Sequence, residues 1–153
     1  MRILFTTRDQ WFSNTICELT GEPVSHVALE FPEHGFVVHS NIRGVHLQWA
    51  ETFRAENIVV HELEMNIPDN FQRLGNLLLK HEFSYYDVGA ILYLGGRLAL
   101  RRHMKMPLAK DNLWQSTGMF LCTEWVTEYL YGEQDSLITP YKLYQKLVSQ
   151  QVL

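Results

Sequence analysis

Cysteine is scarce in this chain: two residues, Cys17 and Cys122, stand 105 positions apart among 153. That spacing builds neither a disulfide framework nor a Cys-x-x-Cys metal knuckle, so each is weighed as a free thiol. A long apolar run is missing as well. The most apolar stretch, Val88 to Leu100, is short and carries Arg97, which argues against a membrane span of roughly 20 uncharged residues. The opening MRILFTTRDQWF offers only Ile3, Leu4 and Phe5 before polar residues begin. It lacks the apolar core of a secretory signal, and a cytoplasmic protein is expected. There is no basic excess, since 13 Lys plus Arg face 17 Asp plus Glu for a net charge of -4. A nucleic-acid partner is therefore not expected. Repeats, low-complexity tracts and linkers are absent too.

What is present is a core. With 46% hydrophobic and 12% aromatic residues over 153 positions, the expectation is a single domain spanning residues 1-153 rather than a disordered chain. Arg2 to Thr6 reads as a strand. Gln10 to Leu19 reads as a helix with Trp11, Ile16 and Leu19 on its apolar face, stopped by Gly21 and Pro23. The period then changes: Val27, Leu29 and Phe31 alternate with His26, Ala28 and Glu30. Pro32-Glu33-His34-Gly35 supplies a turn, and Phe36-Val37-Val38-His39 starts the return strand. Val45 to Trp49 and Ile58 to Met65 are further strands, so residues 24-65 form an antiparallel sheet of three or four. Helical period follows: a helix opened by Pro68-Asp69 with Phe71, Leu74, Leu77 and Leu78, and another from about Tyr86 to Arg102. His103 to Gly118 reads as a long loop. Leu121 to Tyr131 and the segment opened by Thr139-Pro140 through Val148 are the last helices. The fold class is α+β, a small antiparallel sheet packed with helices.

Cys122 stands at the predicted start of a helix, after Phe120-Leu121. A thiol attacks only as thiolate, and the unpaired N-H groups and dipole of a helix N-terminus favour the anion. The competing reading is a small buried core residue, the commoner fate of a free cysteine. Cys17, late in its helix, receives only that reading. The hairpin adds two histidines. A turn centred on Glu33-His34 pairs Ala28 with His39 and His26 with Asn41, which puts His26 and His39 on one face. As diagonal neighbours their Cβ atoms lie roughly 7 Å apart or less, and one imidazole can orient the other; a one-residue slip would separate them. Cysteine, histidine and a third polar residue are what acyl transfer needs. The histidine takes the thiol proton and later protonates the leaving group, and the third residue fixes its tautomer. His34, His46, His61, His81 and His103 read as surface or structural residues.

The motifs Trp11-Phe12-Ser13, Ser25-His26-Val27-Ala28-Leu29, Val38-His39-Ser40 with Gly44-Val45, Phe83-Ser84-Tyr85-Tyr86-Asp87, Phe120-Leu121-Cys122-Thr123-Glu124-Trp125-Val126, and Thr139-Pro140 with Leu143 follow one another in a telling order. Together they resemble the circularly permuted NlpC-type papain-like family, related to the lecithin retinol acyltransferase-like proteins, from about residue 3 to residue 147. In that family the His-bearing strands precede the Cys-bearing helix. The resemblance implies Cys122 as nucleophile, His26 as general base and His39 as third polar residue. It also implies the Cys122 backbone amide as an oxyanion donor, with Tyr86 near the site. Glu124 reads as solvent-facing. Such short proteins are frequent in bacteria and their phages, which implies a phage origin and a place in the host cytoplasm or virion.

The first expectation is thus a cysteine hydrolase that cleaves a peptide or cell-wall peptide amide, or an ester, through a thioester and without a cofactor or metal. The second is an acyltransferase or thioesterase on lipid-like substrates, with Val88 to Leu100 and the basic residues after it touching a membrane surface peripherally. The third is a catalytically silent binding or assembly module with the same fold, engaging a phage virion or assembly partner. A zinc site made of Cys122, His26 and His39 is the least expected, because no Cys-x-x-Cys or His-Glu-x-x-His motif accompanies them. Substrate selection falls to the loop from His103 to Gly118 and to Trp49 and Trp114.

Overall fold

The computed structural model describes residues 1-41, 44-81, 85-86, 119-120, 122-135 and 138-151. The strands are β1 (Arg2–Thr7), β2 (His26–Phe31), β3 (Phe36–Asn41), β4 (Gly44–Trp49), β5 (Ile58–Glu64), β6 (Tyr85–Tyr86) and β7 (Met119–Phe120). The helices are α1 (Trp11–Thr20), α2 (Ala50–Glu56), α3 (Phe71–His81), α4 (Cys122–Tyr131) and α5 (Pro140–Gln151). The architecture is α+β. Five antiparallel strands form one sheet in the order β4-β3-β2-β1-β5, and β6 and β7 pair in parallel by themselves.

The sheet is wider than local alternation suggests. β1 inserts between β2 and β5 and bonds both, so the strand at the start of the chain occupies an inner position. The β2-β3 hairpin closes through a single 3-10 turn, Pro32–His34, followed by Gly35 at φ 72°. Proline supplies the fixed φ of the turn, and glycine supplies the left-handed residue that a side chain would strain. The resulting register pairs Ala28 with His39, Leu29 with Val38, Glu30 with Val37 and Phe31 with Phe36, as the turn position predicts.

Strand alternation divides the sheet into two unlike faces. On one, Ile3, Phe5, Val27, Leu29, Phe31, Val38 and Val45 meet Leu74 and Leu77 of α3, Trp125, Val126 and Tyr129 of α4, and Leu143 and Leu147 of α5. This is the main core. On the other, Leu4, Ala28 and Val37 pack against Phe53 of α2, a seven-residue helix that the sequence reading passed over. α2 is pinned there by charge: Arg54 donates to both carboxylate oxygens of the buried Glu30, at 2.7 and 2.6 Å, and to Glu62 at 2.9 Å.

Helix ends follow the sequence in places and depart from it in others. Gly21 at φ 68° caps α1, and the Thr139 hydroxyl accepts from the Lys142 amide to start α5. The cap of α3 is Asn70, whose Oδ1 accepts from the Arg73 amide at 2.9 Å, not the Pro68-Asp69 pair. Trp11 is 79% exposed, where the sequence expects it on the apolar face of α1. The expected helix from Tyr86 to Arg102 and the loop from His103 to Gly118 lie outside the described residues, apart from the backbone of Tyr86 in β6.

Candidate active site

His26 opens β2, and the chain just before it is held firmly. The Ser25 amide donates to the Thr6 carbonyl at 3.0 Å. The Ser25 hydroxyl meets the Ser13 hydroxyl, which also bonds Thr7 and takes the Arg8 amide. These bonds tie the start of α1 to the start of β2. The hairpin register then brings His26 and His39 to the same face, and the two rings meet edge to face with their centroids 5.4 Å apart. His26 Nε2 lies 3.3 Å from His39 Nδ1. Phe53 closes over both rings, at 4.9 Å from His39 and 6.4 Å from His26 between centroids.

The bonds determine where the protons are. His39 Nε2 lies 3.1 Å from Gln48 Oε1. An amide oxygen only accepts, so His39 carries its proton on Nε2 and presents the Nδ1 lone pair to His26. His26 must then donate from Nε2, which leaves its own Nδ1 as a lone pair. Both rings are neutral at physiological pH. Burial, then the Arg8 charge and His46, lower His26 to about 3. Burial, then His26 and His46, lower His39 to about 2 against the opposing bond from Gln48. His46 lies across the β3-β4 ladder from His39, with ring centroids 4.2 Å apart, and its Nδ1 is held by the Gly44 carbonyl at 3.2 Å.

Cys122 is the first residue of α4 and is buried, at 4% exposure. α4 packs on β2 and β3. The thiol belongs to the main core with Val27, Leu29 and Val38, residues that alternate with His26 and His39 and so point to the other face. The structure thus brings His26 and His39 together and places Cys122 in the layer beyond the sheet. Among the described residues the side-chain hydrogen bonding of His26 is with His39. Tyr86 lies in β6, paired in parallel with Phe120 two residues before Cys122, so the strand pair leads the chain to the helix start. Trp114 is outside the described residues. Trp49 is 68% exposed at the end of β4. Glu124 corrects an expectation: it is fully buried, because residues 122-127 of α4 are covered on every side.

Sequence reasoning missed Gln48 and Glu56. Gln48 shares a strand face with His46 and is diagonal to His39 in the β3-β4 register, a signal that follows only once β4 is paired. Glu56 reaches the site on α2, which was not foreseen. Among the described residues no group of three or more His, Cys, Asp or Glu is arranged to hold a metal ion, and no helix is long and apolar enough to cross a membrane. No known protein-family model matches the sequence, and no curated protein matches it.

Proposed function

We propose that this protein is a cysteine hydrolase of the permuted NlpC-type papain-like kind, cleaving an amide or ester, with peptide or cell-wall peptide amides as its substrate class. The observation that carries the reading is the His26-His39 pair, whose directed bond leaves the His26 Nδ1 lone pair as the base. The helix-start cysteine and the chain order, His-bearing strands before the Cys-bearing helix, support it. In the reaction the Cys122 thiol passes its proton to His26 Nδ1 and the thiolate sulfur attacks the carbonyl carbon. The tetrahedral intermediate collapses to a thioester as the His26 proton passes to the departing amine or alcohol. Water, deprotonated by the same nitrogen, then releases the acid and restores the thiol. Backbone N-H groups at the start of α4, that of Cys122 included, are the candidate oxyanion donors. His26 sits at the very end of its strand, and the reading requires the thiol to reach it around that end.

The test is the pH dependence of alkylation at Cys122, followed by peptide mass mapping that separates it from Cys17, in wild type and in His26→Ala. The expected result is rapid reaction well below the ordinary cysteine value of about 8.5, lost in the variant. In a substrate screen Cys122→Ser should abolish turnover, His26→Ala should lower it by about 100-fold or more, and His39→Ala by less. A second reading has one observation in its favour, the burial of Cys122 among the core residues: a binding or assembly module that keeps the fold without its chemistry. A thiol that is inert, or that titrates as an ordinary cysteine with and without His26, would decide for it.

A further inference from the structure

The polar contacts behind His39 continue in a line that ends in an ion pair. Gln48 Nε2 donates to Glu56 Oε2 at 3.2 Å. The same oxygen accepts from Arg8 Nη2, and Arg8 Nε donates to the Glu56 backbone carbonyl at 3.0 Å. A carboxylate only accepts hydrogen bonds, so the Gln48 amide must turn its NH2 toward Glu56 and its oxygen toward His39. Turned the other way, Gln48 would point its oxygen at a carboxylate and its NH2 at His39 Nε2. His39 would then have to accept there and carry its proton on Nδ1, and His26 would have to accept at Nε2 and carry its proton on Nδ1. That single amide flip removes the lone pair that the base requires.

We propose that Glu56, acting through Gln48, sets the tautomers of His39 and His26, so that Gln48 and Glu56 are positioning residues for the His26 base. Its catalytic meaning rests on the hydrolase reading above; the tautomers themselves do not. Three features favour a dedicated arrangement over a chance surface contact. All four side chains lie in one line on one face of the sheet. The helix that supplies Glu56 also supplies Phe53 against both rings. Arg8, from the segment that joins β1 to α1, holds Glu56 at two points, one carboxylate oxygen and the backbone carbonyl.

The experiment is long-range proton-nitrogen correlation of the histidine rings in the full ¹⁵N-labelled chain at pH 7, alongside the Cys122 alkylation rate. Wild type should show both His26 and His39 protonated on Nε2. Gln48→Lys offers only donors to His39 while keeping a partner for Glu56, and should move both protons to Nδ1 and slow alkylation by about 100-fold or more. Gln48→Glu offers only acceptors to His39 and should keep the wild-type tautomers. Glu56→Ala removes the acceptor, lets the Gln48 amide face either way and should give a mixture, with alkylation falling in proportion to the lost tautomer, about twofold for an even mixture. Wild-type protonation of His26 on Nδ1, or unchanged tautomers in both Gln48→Lys and Glu56→Ala, would overturn the proposal. A role limited to fastening α2 to β4 predicts lower thermal stability in these variants with no tautomer change. Tautomers that shift as expected in a protein whose thiol is ordinary would uphold the relay and remove the hydrolase reading.

Discussion

The two faces of the central sheet are built from the same strands and do opposite things. Val27, Leu29 and Val38 look toward α3, α4 and α5 into an apolar layer that holds Trp125 and Cys122. Among the described residues, His26, Ala28, Glu30 and His39, their immediate neighbours in sequence, look toward the short helix α2 and a line of polar contacts. One side is stabilised by area removed from water, the other by bonds whose direction matters. A period of two thus gives one hairpin an apolar face and a face of directed polar contacts.

The sharpest way to break the comparison is to strike the apolar side. Trp125 is fully buried, and Trp125→Ala should cost about 3-5 kcal/mol in denaturant unfolding while the order of Nε2 protonation on His26 and His39 persists in the folded fraction. On the polar side, Arg54→Ala leaves the buried Glu30 carboxylate without its bidentate partner. The expected loss is about 3 kcal/mol, and because Phe53 and Glu56 ride on the same helix, the histidine resonances should shift with it. A smaller effect separates the faces by pH. An unfolded histidine takes a proton below about 6.5, whereas folded His39 stays neutral until about 2. The unfolded state therefore binds more protons, and the stability present above that range is lost as pH falls. From His39 alone the loss is about 2 kcal/mol at pH 5. Melts at pH 7 and pH 5 should show a smaller drop in His39→Gln than in wild type; equal drops would mean that His39 is not the buried neutral group described.

Much of the site is legible in the sequence because its parts are local. A proline and a glycine fix the β2-β3 turn, the turn fixes the register, and the register puts His26 and His39 on one face. The start of α4 at Cys122 follows from the break in period before it. What escapes is whatever depends on the third dimension. The run Ile3-Leu4-Phe5 within Arg2–Thr7 marks a strand but not its place between β2 and β5. Ala50–Glu56 is too short to build a period of its own and folds because Arg54 and Phe53 find partners on the sheet. Glu124 and Trp11 invert their expectations for the same reason: polarity predicts exposure only until neighbouring elements decide which sides of a helix are covered.

The inner position of β1 has a consequence in time. Its partners on the two sides, Glu30 to His26 and Glu64 to Ile58, are separated by more than two dozen residues of intervening chain. During synthesis β1 waits with one edge unsatisfied until β5 has left the ribosome. The amides of Ile3 to Phe5 should accordingly be among the slowest in the molecule to exchange with deuterium, and the last strand pair to close should be the one that protects them.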